Sequence, residues 1–384
     1  MGKQYISTVL AAQAHKLDIT GVAITNKYTI TVSSDGYANF WDNKQVDVHD
    51  PNDHVVKQDI GSKGLHHVAC LEKTLGGLGV KVVVVAFTGF DGLTKLFYYT
   101  GDDISTWTEI DSLRFATLTW VPAFYNNPVG NRDSLLVSLA NGQVSINDVE
   151  YEVTDDGKLT GVKITDTGAF NPNLGSFPIS LAVLATEDPV FAVGYTNGDV
   201  LLCELAKKKI IYSLHSSDLK LQGDKLSSVP RVLEFSPGGM ILAVGRDIEL
   251  AGTISLYDVV YGENIGLLTV PSHSNNTGIG GFAHEGWILG LSFNSTGEFL
   301  ASCGYDKVIR VWNVDTKERE ATITVSITDL EDTEHDENTD VSVVSGVRFI
   351  NKGIRGGAGG DANDGLVAIS FDRGVRWYRE AGGI

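Results

Sequence analysis

The segment GFAHEGWILGLSFNSTGEFLASCGYDKVIRVWNV, Gly281–Val314, places a His, a Ser, an Asp and a Trp in order, and a second run does the same from His15 through Thr31 and Asp35 to Trp41. Internal repetition restricts a fold more tightly than any local propensity, because each copy must make the same supersecondary unit. In both copies the turn residue is followed six positions later by the residue that ends a strand-like run. Counted that way, weaker copies emerge, and the full set of pairs is Asp35 and Trp41, Asp91 and Phe97, Asn141 and Asn147, Asn197 and Cys203, Ala251 and Tyr257, Asp306 and Trp312, and Asp372 and Tyr378. That makes seven units, with successive turns 50 to 66 residues apart. Gly follows the turn residue in five of them, as a turn needing positive φ favours, and Lys307 and Arg373 are the departures. Asn147 and Cys203 stand where a ring is expected, so their units must draw more packing from their neighbours.

Between these landmarks, short runs of Val, Ile, Thr, Phe and Tyr bounded by Gly, Asn and Asp recur from end to end, which is an all-β pattern. A length of 384 residues ordinarily suggests two or three domains, but stacked repeats exceed that limit as one body, so residues 1–384 are read as a single domain. The unit resembles the WD repeat, and the resemblance implies a seven-bladed WD-repeat β-propeller. In that family the His, the Ser or Thr, the Asp and the Trp of a blade form one buried hydrogen-bond chain. The resemblance therefore assigns His15, Thr31, Asp35 and Trp41, and His284, Ser302, Asp306 and Trp312, to structure and not to catalysis, since buried polar groups must satisfy one another.

The chain stops six residues after Tyr378, which leaves the last blade with three strands, while YISTVLAA, Tyr5 to Ala12, precedes the first His as a strand-like run. The N-terminal strand is thus expected to pair with the last blade and remove the edge that an open ring would expose. The excess length of the last interval is assigned to two loops, an acidic one near 328–340 and a Gly-rich one near 352–365, both too polar or too Gly-rich to bury surface.

A formal charge of −18 opposes the phosphate backbone, so direct nucleic-acid binding is not expected. Cys70, Cys203 and Cys303 are odd in number and sit in apolar runs, which fits a reducing compartment and a soluble intracellular protein; no stretch is long and apolar enough for a membrane span. His66, His67 and Cys70 lack the fourth ligand or CxxC companion of a metal site, and turn or core roles are expected for them. GGLG at 76–79 lacks the Lys-Ser/Thr pair of a phosphate loop, so no cofactor is expected. The sequons at Asn275 and Asn294 are read as chance.

In a propeller, the turns after second strands and the loops before first strands open on one face. Phe90, Tyr305 and Phe371 precede turn acids, and Asp18, Phe115, Phe177 and Trp287 stand at blade entries. Rings at turn edges are not demanded by turn chemistry, so the set is read as a partner-docking surface, with Asp18 able to pair with a partner's Arg. Trp287, Tyr305 and Phe371, with Asp18, are expected to line one continuous site across the seam where the ring closes.

Narrower strings go further. SKGLHHVACL, TVPSHSNNTGIGGFAHEGWILGLSFNSTGE and the C-terminal RWYREAGGI closely resemble the WD-repeat subunit of the fungal superkiller complex. The resemblance implies a non-catalytic adaptor that joins a tetratricopeptide-repeat scaffold subunit and, through it, an RNA helicase and the cytoplasmic exosome for 3′-to-5′ mRNA decay. It also implies recognition of Gln-Arg-x-x-aromatic segments, and a nuclear role in initiating meiotic recombination in some fungi. Two other classes are compatible with the repeat alone. One is a different WD-repeat adaptor, such as a ubiquitin-ligase substrate receptor or a histone-tail reader; the other is a propeller enzyme with acids or His residues gathered in its channel.

Overall fold

In the computed structural model, the residues described are 2–43, 56–61, 63–75, 79–111, 113–130, 132–154, 158–215, 228–248, 251–270, 282–330, 341–350 and 365–381. They form seven four-stranded antiparallel sheets. Blade one is Ile19–Ile24, Tyr28–Ser33, Tyr37–Asp42 and Val56–Asp59 (β2 to β5), and blade two is Leu65–Leu75, Val80–Gly89, Thr94–Thr100 and Asp103–Glu109 (β6 to β9). Blade three is Thr119–Tyr125, Asp133–Leu139, Val144–Val153 and Leu159–Phe170 (β10 to β13), and blade four is Pro178–Leu184, Val190–Tyr195, Val200–Glu204 and Lys209–Leu214 (β14 to β17). Blade five is Val229–Phe235, Ile241–Ile248, Ala251–Asp258 and Asn264–Leu268 (β18 to β21), and blade six is Ile288–Phe293, Phe299–Gly304, Val308–Asn313 and Arg319–Thr324 (β22 to β25). Blade seven takes Val344–Ile350, Gly365–Ser370 and Val375–Ala381 (β26 to β28) from the C-terminus and Gln4–Ala11 (β1) from the N-terminus.

First strands contact one another in sequence around the ring, and β2 meets β26 to close it. The chain is therefore a seven-bladed all-β propeller, and β1 pairs antiparallel with β28 from Gln4 opposite Ala381 to Ala11 opposite Val375. The core is divided among the interfaces. One apolar cluster lies between each pair of neighbouring blades, as where Ile30 and Phe40 of blade one pack on Val85 and Phe87 of blade two. Second strands are buried on both faces, which explains runs such as VVVVAF and LLVSL that do not alternate.

Turn chemistry follows the repeat in six blades: Gly36, Gly92, Gly142 and Gly198 have φ of 85°, 74°, 92° and 99°, and Lys307 and Arg373 take 61° and 67° at the same position. Blade five departs from the expected spacing. Ala251 is the first residue of β20, paired with Ile248, so the hairpin there is extended and Ala251 is not a turn residue. At the two positions lacking a ring, Cys203 is fully buried among Phe170, Phe191 and Tyr195, and the buried Asn147 donates through Nδ2 to Leu135 O at 3.1 Å.

The first strand of every blade carries a register shift against the second, between Ile19 and Gly21, Leu65 and His67, Thr119 and Pro122, Pro178 and Ser180, Pro230 and Val232, Ile288 and Gly290, and Val344 and Gly346. A bulge re-aims the extra side chain, so Thr20, His66, Trp120, Ile179, Arg231, Leu289 and Ser345 form one column at the same height in all blades. Thr20 Oγ1 donates to Leu65 O at 2.7 Å and Ser345 Oγ to Ile19 O at 2.5 Å, each reaching the next blade.

The expected acidic loop begins later than the sequence suggested. Ile327–Asp329 form a 3-10 turn with a capping box from Ser326 and Asp329, and Leu330 is buried. Residues 331–340 of that loop, 352–364 of the Gly-rich loop, Gly76 to Leu78, Asn275 to Thr277 and the last three residues of RWYREAGGI lie outside the described residues. Asn294 is buried, and its side chain bonds Thr296 Oγ1 and Phe299 N–H, so that sequon is a β-turn lock.

Candidate functional site

Blade entries and second-to-third-strand turns meet on one face, tied by a repeated backbone hydrogen bond from turn N–H to entry carbonyl. The pairs are Ser34 to Asp18 at 3.0 Å, Phe90 to Gly64 at 3.1 Å, Ala140 to Leu118 at 2.8 Å, Thr196 to Phe177 at 2.9 Å, Tyr305 to Trp287 at 2.9 Å and Phe371 to Val343 at 3.0 Å. Asp18, Phe177 and Trp287 thus occupy entry positions, and Phe90, Tyr305 and Phe371 occupy turn positions. Phe115 does not. The entry residue of blade three is Leu118, which is exposed, while Phe115 is half-buried and packs against the apolar cluster between blades two and three. The sequence placed Phe115 on the face because a ring next to a strand start resembles an entry; only the backbone bond to the turn identifies the residue that is one.

The rings fall into two groups. Trp287 and Tyr305 lie 6.3 Å apart on blade six, 46% and 58% exposed, and the Arg231 guanidinium sits 4.6 Å from the centre of the Trp287 ring. On the opposite arc, Phe90 meets His66 at 5.0 Å, His66 stacks on Trp120 at 4.2 Å, and Trp120 meets Phe177 at 5.6 Å. Leu93 and Leu118, 56% and 57% exposed, extend this second group. Phe371 is half-buried and Asp18 is exposed, on the two blades that follow blade six around the ring. Burial raises the Asp18 carboxyl pKa, opposed by the charge of Arg373, the turn residue of the neighbouring blade. Sequence reasoning missed Trp120 and Arg231, and gave His66 a turn or core role without placing it on this face. Their signal is the bulge column, two residues beyond the entry, which becomes countable only once the bulge is known.

The residues read as structural form the expected chains. Trp41 Nε1 donates to Thr31 Oγ1 at 3.0 Å, Thr31 bonds His15 Nε2 at 2.9 Å, and His15 Nδ1 lies 3.4 Å from Asp35. In blade six the same steps are 2.8 Å from Trp312 to Ser302, 2.7 Å from Ser302 to His284 and 2.8 Å from His284 to Asp306. Burial alone would raise both carboxyls, but the His hydrogen bonds with Lys16 N–H or Arg310 hold Asp35 and Asp306 at about 2. In blade seven Arg376, four residues after the turn acid as Arg310 is in blade six, donates through Nη2 to Asp372 at 2.6 Å, both side chains being fully buried.

First strands line the central channel, where Glu234 is the lone carboxylate among the described lining residues. His66 and His67 face each other through Nδ1 atoms 2.5 Å apart, and Cys70 Sγ turns away to Ile24 O at 3.3 Å. Among the described residues no three His, Cys, Asp or Glu side chains cluster as metal ligands would. Of the turn or core roles expected from sequence, the pair takes the second: both lie on β6 at the channel rim, with His66 buried.

Burial pushes the His66 pKa down to about 4 while Nε2–H donates to Gly89 O at 3.0 Å. An imidazole that ionises more readily when unfolded draws the equilibrium toward the unfolded state as pH drops below about 6.5, until the folded ring also protonates near 4. Urea melts are expected to show His66 removing about 3 kcal/mol of stability between pH 6.5 and 4. His66→Gln should make that limb shallower, leaving the part due to His67 and His284, which burial also depresses; an unchanged slope in the variant refutes the assignment.

The ring of bulged, cluster-bonded sheets and its two His–Ser/Thr–Asp–Trp chains define the class: this is a WD-repeat β-propeller. The WD domain, G-beta repeat family model matches residues 279–313, the sixth blade. The chain is 32% identical to the antiviral protein SKI8 of Saccharomyces cerevisiae, over the whole of both chains. It belongs to that family of WD-repeat proteins. It is also 25% identical to a striatin homolog of Dictyostelium discoideum, over 49% of this chain and 20% of that one.

Proposed function

We propose that this protein is a non-catalytic scaffold subunit of a superkiller-type complex, docking through the entry-and-turn face onto a short segment of a tetratricopeptide-repeat partner. The observation that carries the reading is Trp287. All six tryptophans lie among the described residues, and Trp287 alone is exposed, at 46%, beside an exposed Tyr305. Leaving an indole in water in a fold that buries Trp41, Trp312 and Trp377 completely is explained by a partner that covers it. The family relationship supports the assembly, and the −18 charge supports delegating RNA to a helicase partner, with delivery to the exosome in the cytoplasm. A nuclear, meiotic role uses the same face in this reading. Among the described channel-lining residues Glu234 is a lone carboxylate, which does not supply the acid pair of a hydrolytic site.

The partner segment is of Gln-Arg-x-x-aromatic type, its ring held by Trp287 and Tyr305 and its Arg directed to Asp18. Trp287→Ala and Asp18→Arg are each expected to weaken binding of such a peptide by about 2 kcal/mol or more, with the circular-dichroism melt unchanged. Wild-type affinity in both variants sinks the site. Copurification that recovers a ubiquitin ligase or chromatin complex in place of the helicase and repeat scaffold sinks the assembly.

A further inference from the structure

Arg231 is the blade-five member of the bulge column, yet it does not behave like Thr20 or Ser345, which bond the backbone of the next blade. Its guanidinium reaches a side chain instead, lying 4.6 Å from the centre of the Trp287 ring. It is clamped there. Nε donates to Asp247 Oδ2, and the other oxygen of this buried carboxylate accepts the N–H of Ile288, the residue after Trp287, at 3.2 Å. Arg231, Asp247 and Trp287 are thus one locked unit across two blades, with one face of the indole already covered by a cation.

We infer that Arg231 is the specificity-determining residue of the blade-six ring pair: it reserves the open face of Trp287 for an uncharged aromatic side chain of the partner and turns a partner's guanidinium away. This rests on the docking reading above. A cation over one face of an indole draws on the ring quadrupole, so a second cation on the opposite face meets a depleted π system and a like charge. An aromatic ring meets neither penalty and gains edge or offset contacts with Trp287 and Tyr305. The partner's arginine is left to the Asp18 carboxylate, which fixes the direction in which a Gln-Arg-x-x-aromatic segment lies.

The test titrates the full chain by calorimetry with two peptides, one of Gln-Arg-x-x-aromatic type and one with Arg in place of the aromatic residue. The unaltered protein is expected to prefer the first by about tenfold or more. Arg231→Gln should narrow the preference to about twofold, through a gain for the Arg-ended peptide, and Arg231→Lys should retain it. Trp287→Leu leaves the Arg231–Asp247 pair in place and should erase the preference, which provides a second reading should Arg231→Gln unfold. A preference that persists undiminished in a folded Arg231→Gln, or in Trp287→Leu, overturns the role of Arg231 while docking stands. Binding of neither peptide by the unaltered protein overturns docking and this inference together.

Discussion

Removal of residues 1–12 is expected to lower the melting temperature by about 6 °C or more and to make the protein aggregate. β1 supplies the outer strand of the last blade, and without it β28 presents an unpaired row of backbone groups. More than the ladder is lost. Ala11 and Val9 belong to the apolar cluster that joins blade seven to blade one, Tyr5 packs at the interface of blades six and seven, Thr8 Oγ1 donates to Trp377 O at 3.2 Å, and Lys3 pairs with Glu380 at 2.9 Å. Buried apolar area and ladder hydrogen bonds together contribute about 5 kcal/mol or more, while the partly exposed Lys3 pair at the end of the ladder adds little. Differential scanning calorimetry and light scattering check both halves. A truncated chain that melts with the full-length one refutes closure by β1.

Lys73→Met is expected to lower the unfolding free energy by about 3–5 kcal/mol. Lys73 lies near the end of the first strand of blade two, and its ammonium is caged by the β10–β11 connection of blade three. It contacts Asn126 Oδ1 at 3.2 Å, Asn127 O at 2.6 Å, Gly130 O at 2.5 Å and Asp133 Oδ1 at 2.9 Å. Asp133 is fully buried and also accepts Tyr151 OH at 2.5 Å, so the variant strands a carboxylate away from water. Removing the charge at both ends should recover part of the loss. Lys73→Met with Asp133→Asn is expected to be more stable than the sum of the single variants allows, a coupling that a double-mutant cycle in urea measures. A single variant within about 0.5 kcal/mol of the unaltered protein would show that the cage contributes nothing.

The sequence by itself determined the seven-fold repeat, the all-β class, the closing strand and the His–Ser/Thr–Asp–Trp chains, because each depends on residue type at fixed spacing along one chain segment. A turn that needs positive φ selects Gly36 or Gly92, and a ring five residues beyond that glycine marks the third strand, whatever the neighbouring blade does. Only the tertiary structure decided which side chains share the docking face and what each ring touches. Lys73 meets residues 53 to 60 positions away, and Arg231 covers a ring 56 positions on, contacts set by blade-to-blade packing that leave no periodic trace. The bulge in every first strand shifts side-chain direction by one residue, which hid Trp120 and Arg231 and the place of His66 on the face. A one-residue slip in a strand reverses the face a side chain takes, and strand pairing, not local sequence, fixes where that slip occurs.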